Sequence, residues 1–510
     1  MNPKAPLIRS SLLAAALFLM APALFPQASA PPDEVAVEGL KFTQVYGTLQ
    51  QSFMDPVDPD RAIFDGGIRG MLSALDPFSA FFDRDQFELL QQQARGEALG
   101  FGSVLYVTPG KVLILQTAQG SPSWRAGLGP GDEIVEINGT RVSRLDFQSL
   151  VELLQRSRSR PVRLGVIRPG KVVAQDFELN PTEVALPTVD KAFRLSPGIA
   201  YLHLTSFEQK TPQEVVEALG RLDASTMKGL LFDLRNNHGG IVDAAVGVAS
   251  LFLQPEILVL TTRGRAMPEK AYRTTSKPQH FDLPLVVLVN GNTASAAEVL
   301  TAALQEHDRA VIAGEPTFGK GVVQSVTALS EKTGLALTTA QYFTPCGRSI
   351  QRPLLATALA KTDPSSDPTA DSLRFHTDNG RLVSAGGGIT PDVTIPARTL
   401  DSWLAFLEQR GTFTSFASEY LTLHGKVGDS FEPSPTVLES FRDFLSTRGI
   451  RTPEVYWNLD QDYLKLRIKT ELFNLVFGLT RGDEIEVKGD PQVQEAAQLI
   501  PKIPQILRSR

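Results

Sequence analysis

Between residues 188 and 398, short apolar runs alternate with stretches of helical periodicity, and this alternation constrains the fold more than any other feature. The runs are GIAYLHL, GLLFDLR, PLVVLVN and RAVIAG, and most of their positions are apolar. Strands with few polar positions are typical of sheets that helices cover on both faces, and such sheets are largely parallel. The segment therefore predicts a layered α/β core.

The flanking segments have different patterns. Residues 33–95 carry apolar residues three and four positions apart, which predicts a small helical block that serves as a prodomain or brace. Residues 96–182 consist of short strand-like runs and glycine turns, which predict a β-rich domain. Residues 399–510 are again helix-rich and carry no assigned motif. Within the core, residues 352–388 are rich in Pro, Ser and Asp and predict a loop excursion.

The first thirty residues predict export. A basic start without acidic residues precedes an apolar run over 12–25 and the triplet ASA at 28–30, which is the pattern of a secretory signal. Pro31 fits poorly after a cleavage site because its ring fixes the backbone, so either cleavage falls earlier or residues 1–30 stay as an N-terminal anchor. We therefore expect a periplasmic or cell-envelope protein, with membrane association through this segment if it is retained.

Charge and cysteine content disfavour several function classes. The net charge is −6 and no large basic block occurs, so no nucleic-acid partner is expected. The six histidines are scattered without metal-ligand spacing, so we expect neither a metal nor another cofactor. Cys346 is the only cysteine, which excludes an intrachain disulfide, and its place in a Pro-Cys-Gly turn gives no support to a thiol nucleophile.

Two groups of motifs suggest other enzymes, but their surroundings do not fit. GEPTFGK at 314–320 matches the start of a phosphate-binding loop, yet Gly321 stands where Ser or Thr would ligate magnesium, and a strand-like run follows. Ser225-x-x-Lys228 and Lys-Thr-Gly at 332–334 match two of the three marks of penicillin-binding enzymes. The third mark is missing, and Ser225 precedes a strand pattern. Both interpretations are therefore disfavoured.

A Ser-His-Asp triad has no local support either. Neither Gly-x-Ser-x-Gly nor Gly-Asp-Ser-Gly occurs in the chain. His203 alternates within a strand pattern and His238 lies in a predicted turn, so both are interpreted as structural residues. Spacing alone leaves the triad open, since its chain order varies between folds.

Ser295 and Lys320 remain as a candidate nucleophile and general base. Ser295 lies in GNTASAAEVL, where a strand pattern gives way to a helical one, and with Glu298 it has the form of a capping box, so a helix cap is the alternative role. A lysine amine can take a serine proton if burial without an acidic partner lowers its pKa, and Lys320 has apolar and glycine neighbours. Gln324, on the same face of an extended segment, would orient the amine without charging it.

A glycine turn offers donors for an oxyanion. The sequence GLLFDLRNNHGG at 229–240 is a strand pattern that runs into a glycine turn, a geometry that presents free N–H groups. The N–H of Ala296, beside the candidate nucleophile at a helix start, is a second donor. Asp233 and Arg235 in the same stretch are interpreted as a structural ion pair.

These stretches together resemble the active-site signature of the C-terminal processing peptidases, the tail-specific serine proteases of family S41 with a Ser-Lys dyad. NTASAAE followed by GEPTFGKGVVQ has the family's spacing, with Lys320 placed 25 positions after Ser295 and Gln324 four positions later. FDLRNNHGG resembles the family's Asp-Leu-Arg-x-Asn-x-Gly-Gly block. That resemblance implies that Gly240 lines the oxyanion hole together with Ala296.

The resemblance extends over most of the chain. MLSALDPFSAFFD resembles the family's N-terminal helical block, and YFTPCGRSIQ and GGGITPDVTIP resemble its closing core motifs. Residues 96–182 resemble its PDZ domain, whose carboxylate-binding loop would be Leu99, Gly100, Phe101 and Gly102. The implied fold is α/β, with a core of ClpP/crotonase-like type, an inserted β-rich PDZ domain, and helical N- and C-terminal regions. His238 and Ala297 depart from the family pattern, but neither touches a proposed catalytic atom.

The resemblance implies an exported serine endopeptidase that recognises substrates by their C-terminal tails. A PDZ groove captures a terminal carboxylate on backbone N–H groups and adds the peptide as a strand, so the expected partners are proteins or peptides with free C-termini that end in small or apolar residues. Residues 399–510 are a candidate surface for an adaptor protein or for homo-oligomerisation. The alternative function is a non-catalytic PDZ scaffold or tail-binding chaperone on the same fold, against which the intact Ser295, Lys320 and Gln324 argue.

Overall fold

The computed structural model describes residues 32–94, 97–185, 187–223, 226–277, 279–329, 333–353 and 374–508. The predicted signal or anchor segment, Ser225, Lys332 and most of the predicted 352–388 excursion lie outside these residues. In the described part of the chain, no helix is both long and apolar enough to cross a bilayer.

The N-terminal block is mostly helical, and it also contributes a strand that the sequence pattern did not predict. Its elements are helix α1 (Pro32–Ser52), a π-helix (Asp60–Ile68), helix α2 (Arg69–Ser73), strand β1 (Ala80–Phe82) and helix α3 (Arg84–Ala94). Strand β1 lies within DPFSAFF and pairs antiparallel with residues 334–336, with Phe81 opposite Leu335. Phe81 and Phe82 are buried, so a ladder and apolar packing together fix the block to the core.

Residues 97–185 form the predicted β-rich domain. Its elements are β2 (Glu97–Gly100), β3 (Ser103–Thr108), β4 (Lys111–Thr117), α4 (Pro122–Arg125), β5 (Glu133–Ile137), β6 (Thr140–Arg141), a 3₁₀ turn (Val142–Arg144), α5 (Phe147–Ser157), β7 (Val162–Ile167), β8 (Gln175–Leu179) and β9 (Thr182–Ala185). The main sheet has the antiparallel order β3-β4-β5-β7-β8, with β6 paired to β5, while β2 pairs separately with β9. Asp146 caps helix α5 by accepting the Ser149 N–H at 2.8 Å.

The predicted layered α/β core is confirmed. Its elements are β10 (Val189–Ser196), β11 (Ile199–Leu204), α6 (Thr211–Arg221), β12 (Gly229–Asp233), α7 (Val242–Ala249), β13 (Leu258–Arg263), β14 (Lys270–Arg273), β15 (Leu285–Val289), α8 (Ala296–Glu306), β16 (Val311–Gly314), β17 (Val322–Ala328), β18 (Gly334–Phe343), β19 (Phe375–His376), β20 (Leu382–Val383) and β21 (Val393–Thr394). The main sheet has the order β10-β11-β12-β15-β16-β21 and is parallel except for β10.

Both faces of this sheet are buried, as its apolar strands predict. Strand β15 shows the alternation, because Leu285 and Val287 pack against helices α6, α7 and α8, whereas Val286 and Leu288 face the opposite layer. A second, antiparallel sheet has the order β1-β18-β13-β14, with β17 paired to β18. The connection from β16 to β17 therefore crosses from the parallel sheet to the antiparallel one, and Lys320 lies in that connection.

The C-terminal region is helical, as predicted. Its elements are α9 (Ser402–Gln409), α10 (Thr412–His424), α11 (Pro435–Thr447), α12 (Glu454–Leu459), α13 (Gln461–Phe477), α14 (Leu479–Gly489), α15 (Pro491–Ala497), a 3₁₀ turn (Ile500–Lys502) and α16 (Ile503–Ile506). Val493 and Ala496 of α15 cover the second face of the parallel sheet. Leu113 of β4 is buried among the helices α9–α13, and the Tyr106 hydroxyl donates to the Gly411 carbonyl at 2.6 Å. The region thus connects the β-rich domain to the core.

Candidate active site

Ser295 occupies a strained turn between strand β15 and helix α8. Its backbone has φ 58° and ψ −120°, a region that non-glycine residues rarely adopt and that costs about 1–3 kcal/mol. Ser295 and Glu298 have the predicted capping-box arrangement, and the Glu298 carboxylate accepts the Ser295 N–H at 2.8 Å.

Glu298 also holds the segment that carries Lys320. Its carboxylate accepts hydrogen bonds from the Thr317 hydroxyl at 2.5 Å, the Gly319 N–H at 2.7 Å and the Lys320 N–H at 2.9 Å. Burial raises the pKa of Glu298 to about 7, against the effect of these hydrogen bonds. One buried carboxylate therefore fixes the main chain at both Ser295 and Lys320. Sequence reasoning identified Glu298 only as a capping residue and missed this second role.

The Lys320 amine is buried in surroundings that disfavour its charge. Burial lowers the pKa of Lys320 to about 8, although the carboxylates of Asp76 and Glu298 act in the opposite direction. The amine donates a hydrogen bond to Gln324 Oε1 at 3.0 Å, and it lies 4.8 Å from the centre of the Phe78 ring. Gln324 therefore contacts the Lys320 amine, as its position in the sequence predicts. Phe78 was not among the predicted site residues.

Ser295 and Lys320 share their surroundings but not a side-chain hydrogen bond. The Tyr342 hydroxyl lies within hydrogen-bonding distance of the Ser295 carbonyl, at 3.2 Å, and of the Lys320 carbonyl. No hydrogen bond joins Ser295 Oγ to Lys320 Nζ in the part of the chain that the structure describes. Glu298 and Tyr342 thus hold the two backbones close together, while the lysine side chain is oriented toward Gln324.

The glycine turn lies beside the serine. Gly240 has φ 145°, and a Cβ there would lie 2.1 Å from the Phe207 carbonyl oxygen, so only glycine fits. The turn is joined to Phe207 by hydrogen bonds from Phe207 N–H to Gly239 O, at 2.9 Å, and from Ile241 N–H to Phe207 O, at 2.7 Å. Neither uses the Gly240 N–H. A Cβ on Gly239 would lie 2.8 Å from the Ser295 Cβ, so the turn contacts the candidate nucleophile directly.

The predicted ion pair anchors the start of this turn. Arg235 pairs with the buried Asp233 at 2.7 Å, and it also donates to Asp490 at 2.7 Å and to Gln492 at 2.8 Å in the C-terminal region. His203 lies between Asp190, at 2.6 Å from its Nδ1, and the Arg235 carbonyl, at 3.2 Å from its Nε2. These contacts give Asp233, Arg235 and His203 structural roles at the base of the turn.

The alternative chemistries gain nothing from the structure. Lys320 is followed by strand β17 rather than by the helix that a phosphate-binding loop requires. Burial raises the pKa of Cys346 to about 11, so its thiol is protonated at neutral pH. Ser225 and Lys332 lie outside the described residues, and within those residues no cluster of three or more His, Cys, Asp or Glu side chains could hold a metal ion.

The β-rich domain contains a separate groove. Its cavity has a volume of about 330 Å³ and is lined by Leu99, Gly100, Phe101 and Gly102, by Leu154 and Arg158 at the end of α5, and by apolar residues of the sheet. Gly102 has φ 74°, and a Cβ there would lie 2.2 Å from the Ser121 Cβ, so the loop requires glycine at this position. The predicted carboxylate-binding stretch 99–102 thus forms one wall of an apolar groove, but only Phe101 and Gly102 are in a loop, since Leu99 and Gly100 belong to strand β2.

Two family descriptions match this chain: peptidase family S41 over residues 198–357 and a PDZ domain over residues 113–168. The carboxyl-terminal-processing protease of Synechocystis sp. is 35% identical over 291 residues, which cover 56% of this chain and 68% of that protein. The carboxy-terminal-processing protease of Bartonella bacilliformis is 31% identical over 317 residues, which cover 61% and 72%. Among solved structures, the photosystem II D1 C-terminal processing protease is 27% identical, covers 71% of this chain and 88% of that chain, and has a TM-score of 0.38.

Proposed function

Because the chain belongs to the carboxyl-terminal processing proteases of peptidase family S41, we propose that it is an exported endopeptidase that selects substrates by their C-terminal tails and cleaves them with Ser295 and Lys320. It is a serine-type peptidase with a PDZ domain, as predicted. The observation that carries the proposal concerns Lys320. Its amine is buried, and its backbone N–H and that of Ser295 both donate to the Glu298 carboxylate.

The lowered pKa makes Lys320 suitable as a general base. At pH 7 an amine with a pKa of about 8 is neutral in roughly one molecule in ten, against fewer than about one in a thousand at its ordinary pKa. Neutral Lys320 takes the proton of Ser295 Oγ as that oxygen attacks the scissile carbonyl carbon. Gln324 accepts a hydrogen bond from the lysine and so directs the amine without adding charge.

The negative charge that develops on the carbonyl oxygen requires donors. The N–H groups of Gly240 and Ala296 are our candidates, since the glycine turn contacts Ser295 and Ala296 is the first residue of helix α8. Protonated Lys320 then gives its proton to the leaving amine, and an acyl ester on Ser295 remains. Water attacks this ester with Lys320 as base, and the new C-terminal carboxylic acid and the serine are released.

In this proposal the arrangement of Ser295 and Lys320 in the structure is a resting one. Among the described residues no hydrogen bond joins Ser295 Oγ to Lys320 Nζ, so side chains must rotate before the amine can accept the serine proton. Support for a small movement comes from Glu298 and Tyr342, which already hold both backbones. Turning the serine hydroxyl toward the amine needs no separation of domains in this proposal.

Tail recognition is proposed for the groove of the PDZ domain. The stretch 99–102, where strand β2 ends in a glycine-containing turn, would offer backbone N–H groups for a terminal carboxylate, and the apolar walls suit a small or apolar final side chain. Export is proposed from the N-terminal sequence pattern alone.

A cleavage assay tests the function. The full chain is incubated with an unfolded protein that ends in an apolar tail, and with the same protein carrying a C-terminal amide, and products are identified by mass spectrometry. We expect cleavage of the free-tailed protein only, and none by Ser295→Ala or Lys320→Ala. Tail binding without cleavage by the wild-type chain would instead support a scaffold or chaperone. Equal cleavage by either variant would contradict the Ser-Lys mechanism.

A further inference from the structure

We propose that Phe78 is a positioning residue for the reaction: its ring covers the Lys320 amine, and its carbonyl sets the orientation of the Gln324 amide. This inference rests on the proposed function, because it assigns a role toward Lys320 as the base. Phe78 belongs to the N-terminal block, 120 positions before the start of the S41 match at residue 198. The block would thus be part of the catalytic machinery rather than only a brace.

The turn that presents Phe78 is held by a buried carboxylate. Asp76 accepts the N–H groups of Phe78 and Ser79, both at 2.7 Å, and the Ser79 hydroxyl at 2.9 Å. The Ser79 oxygen in turn accepts the Thr338 N–H of strand β18 at 3.2 Å. These bonds fix the main chain of the turn against the core, so the backbone position of Phe78 does not depend on the packing of its ring.

Strand pairing fixes the position of this turn relative to Gln324. Strand β1 follows the turn directly and pairs with β18, where Ala80 lies opposite Ala336. Strand β17, which contains Gln324, pairs with the other edge of β18, and Val326 lies opposite the same Ala336. A three-strand ladder therefore fixes the distance between the Phe78 carbonyl and the Gln324 side chain.

The carbonyl of Phe78 determines which end of the Gln324 amide faces the lysine. A carbonyl oxygen can only accept, so the hydrogen bond between Gln324 and Phe78 O must come from the Nε2 group. The Oε1 atom is then directed to Lys320, whose amine donates to it at 3.0 Å. Without Phe78 O as an acceptor, the amide could turn its NH₂ group toward the lysine, where it would repel the ammonium.

The ring of Phe78 covers the amine. Its centre lies 4.8 Å from Lys320 Nζ, and burial is the largest influence on the pKa of this lysine. The ring face attracts an ammonium, but water admitted in its place hydrates the charge much more strongly. Removal of the ring is therefore expected to raise the pKa. The other groups that face the amine are the carboxylates of Asp76 and Glu298, which are unchanged by the substitution.

The test compares the pH dependence of kcat/KM for Phe78→Ala, Phe78→Leu and Phe64→Ala. Phe64 is a matched control, because it is a half-buried phenylalanine of the same block whose ring stacks on Phe81 rather than on Lys320. For Phe78→Ala we expect the midpoint of the rise to move to higher pH by about one unit, with kcat at neutral pH about tenfold lower and KM little changed. Phe78→Leu keeps an apolar cover and should restore most of the activity.

A second measurement does not require catalysis. In the Ser295→Ala background, acetylation of Lys320 by acetic anhydride is followed by mass spectrometry as a function of pH, since only the neutral amine reacts. The Phe78→Ala substitution should move this curve to higher pH, and Phe64→Ala should not. An unchanged curve, or an equal change for Phe64→Ala, would overturn the inference. If Ser295→Ala still cleaves substrate, the proposed function fails, while the acetylation curve continues to test Phe78.

Discussion

Arg235, at the start of the glycine turn, donates a hydrogen bond at 2.7 Å to Asp490, which lies 255 positions later in the chain. The same C-terminal region receives the Tyr106 hydroxyl of the PDZ domain at 2.6 Å on the Gly411 carbonyl. The region after residue 399 therefore contacts both the PDZ domain and the turn that carries Gly240, one of the two candidate oxyanion donors. These contacts predict that the C-terminal region stabilises the candidate active site.

Asp490→Asn should slow turnover without unfolding the protein. An asparagine side chain can still accept the Gln492 N–H and so cap helix α15. It removes the negative charge that pairs with Arg235. We expect the free energy of unfolding to fall by about 1 kcal/mol and kcat to fall about 3- to 10-fold with little change in KM. Asp429→Asn, which removes an exposed partner of Arg481, is the matched control and should leave both quantities unchanged. Equal kinetics for the two variants would contradict a role of Asp490 in positioning the turn.

Glu298→Gln should be among the most damaging single changes in the core. A glutamine retains the size but has only one acceptor oxygen for the four donors that Glu298 accepts, and its NH₂ group would face N–H groups. We expect a loss of about 2–4 kcal/mol in the free energy of unfolding and at least about a 100-fold loss of kcat/KM. Thermal unfolding and peptide cleavage measure the two effects. A stable, active Glu298→Gln variant would refute the bridging role of this carboxylate.

Replacing the buried Lys320 by an uncharged residue should stabilise the protein. Its pKa is lowered to about 8 in the folded state from 10.5, so folding disfavours the ammonium. The free-energy cost of burying the ammonium is fully present below the pKa of about 8 that Lys320 has in the folded protein. It falls as the pH rises from there toward the pKa of the unfolded chain, 10.5. Lys320→Met should therefore raise the melting temperature by roughly 1–4 °C at about pH 6, and by less at about pH 9.5. A gain that does not depend on pH would contradict this origin.

Leu154→Glu should weaken tail binding selectively. Leu154 lines the groove beside the 99–102 loop, and a carboxylate there would repel the terminal carboxylate of a substrate. We expect the dissociation constant of an apolar-tailed peptide to rise at least about tenfold, as measured by calorimetry on the full chain. Glu152→Gln, on an exposed position of the same helix, is the control and should bind normally. Unchanged binding by Leu154→Glu would remove the groove as the tail site.

Much of the site could be predicted from short stretches of sequence. The apolar strands and their helical connections gave the α/β core, and the identities of Ser295, Lys320 and Gln324 followed from motif and spacing. These features are local: a glycine turn after a strand and a serine before a helix restrict the backbone within a few residues. Their assignment as catalytic groups stays a prediction that the variants above test.

The contacts that complete the site could not be predicted in this way. Phe78 reaches Gln324 across 246 positions, and Arg235 reaches Asp490 across 255, and no periodicity or motif records either pairing. Glu298 was recognisable as a cap from Ser-x-x-Glu, but its bonds to Gly319 and Lys320 depend on how two sheets meet.

The sequence by itself thus determined the family, the secondary structure of the core and the residue types available for catalysis, because these depend on local backbone preferences and on the burial pattern of each strand. Only the tertiary structure decided the surroundings of the Lys320 amine and the anchoring of the glycine turn. Burial and hydrogen bonding there come from segments brought together by packing, and the pKa of a buried amine depends on that assembled environment rather than on its neighbours in the chain.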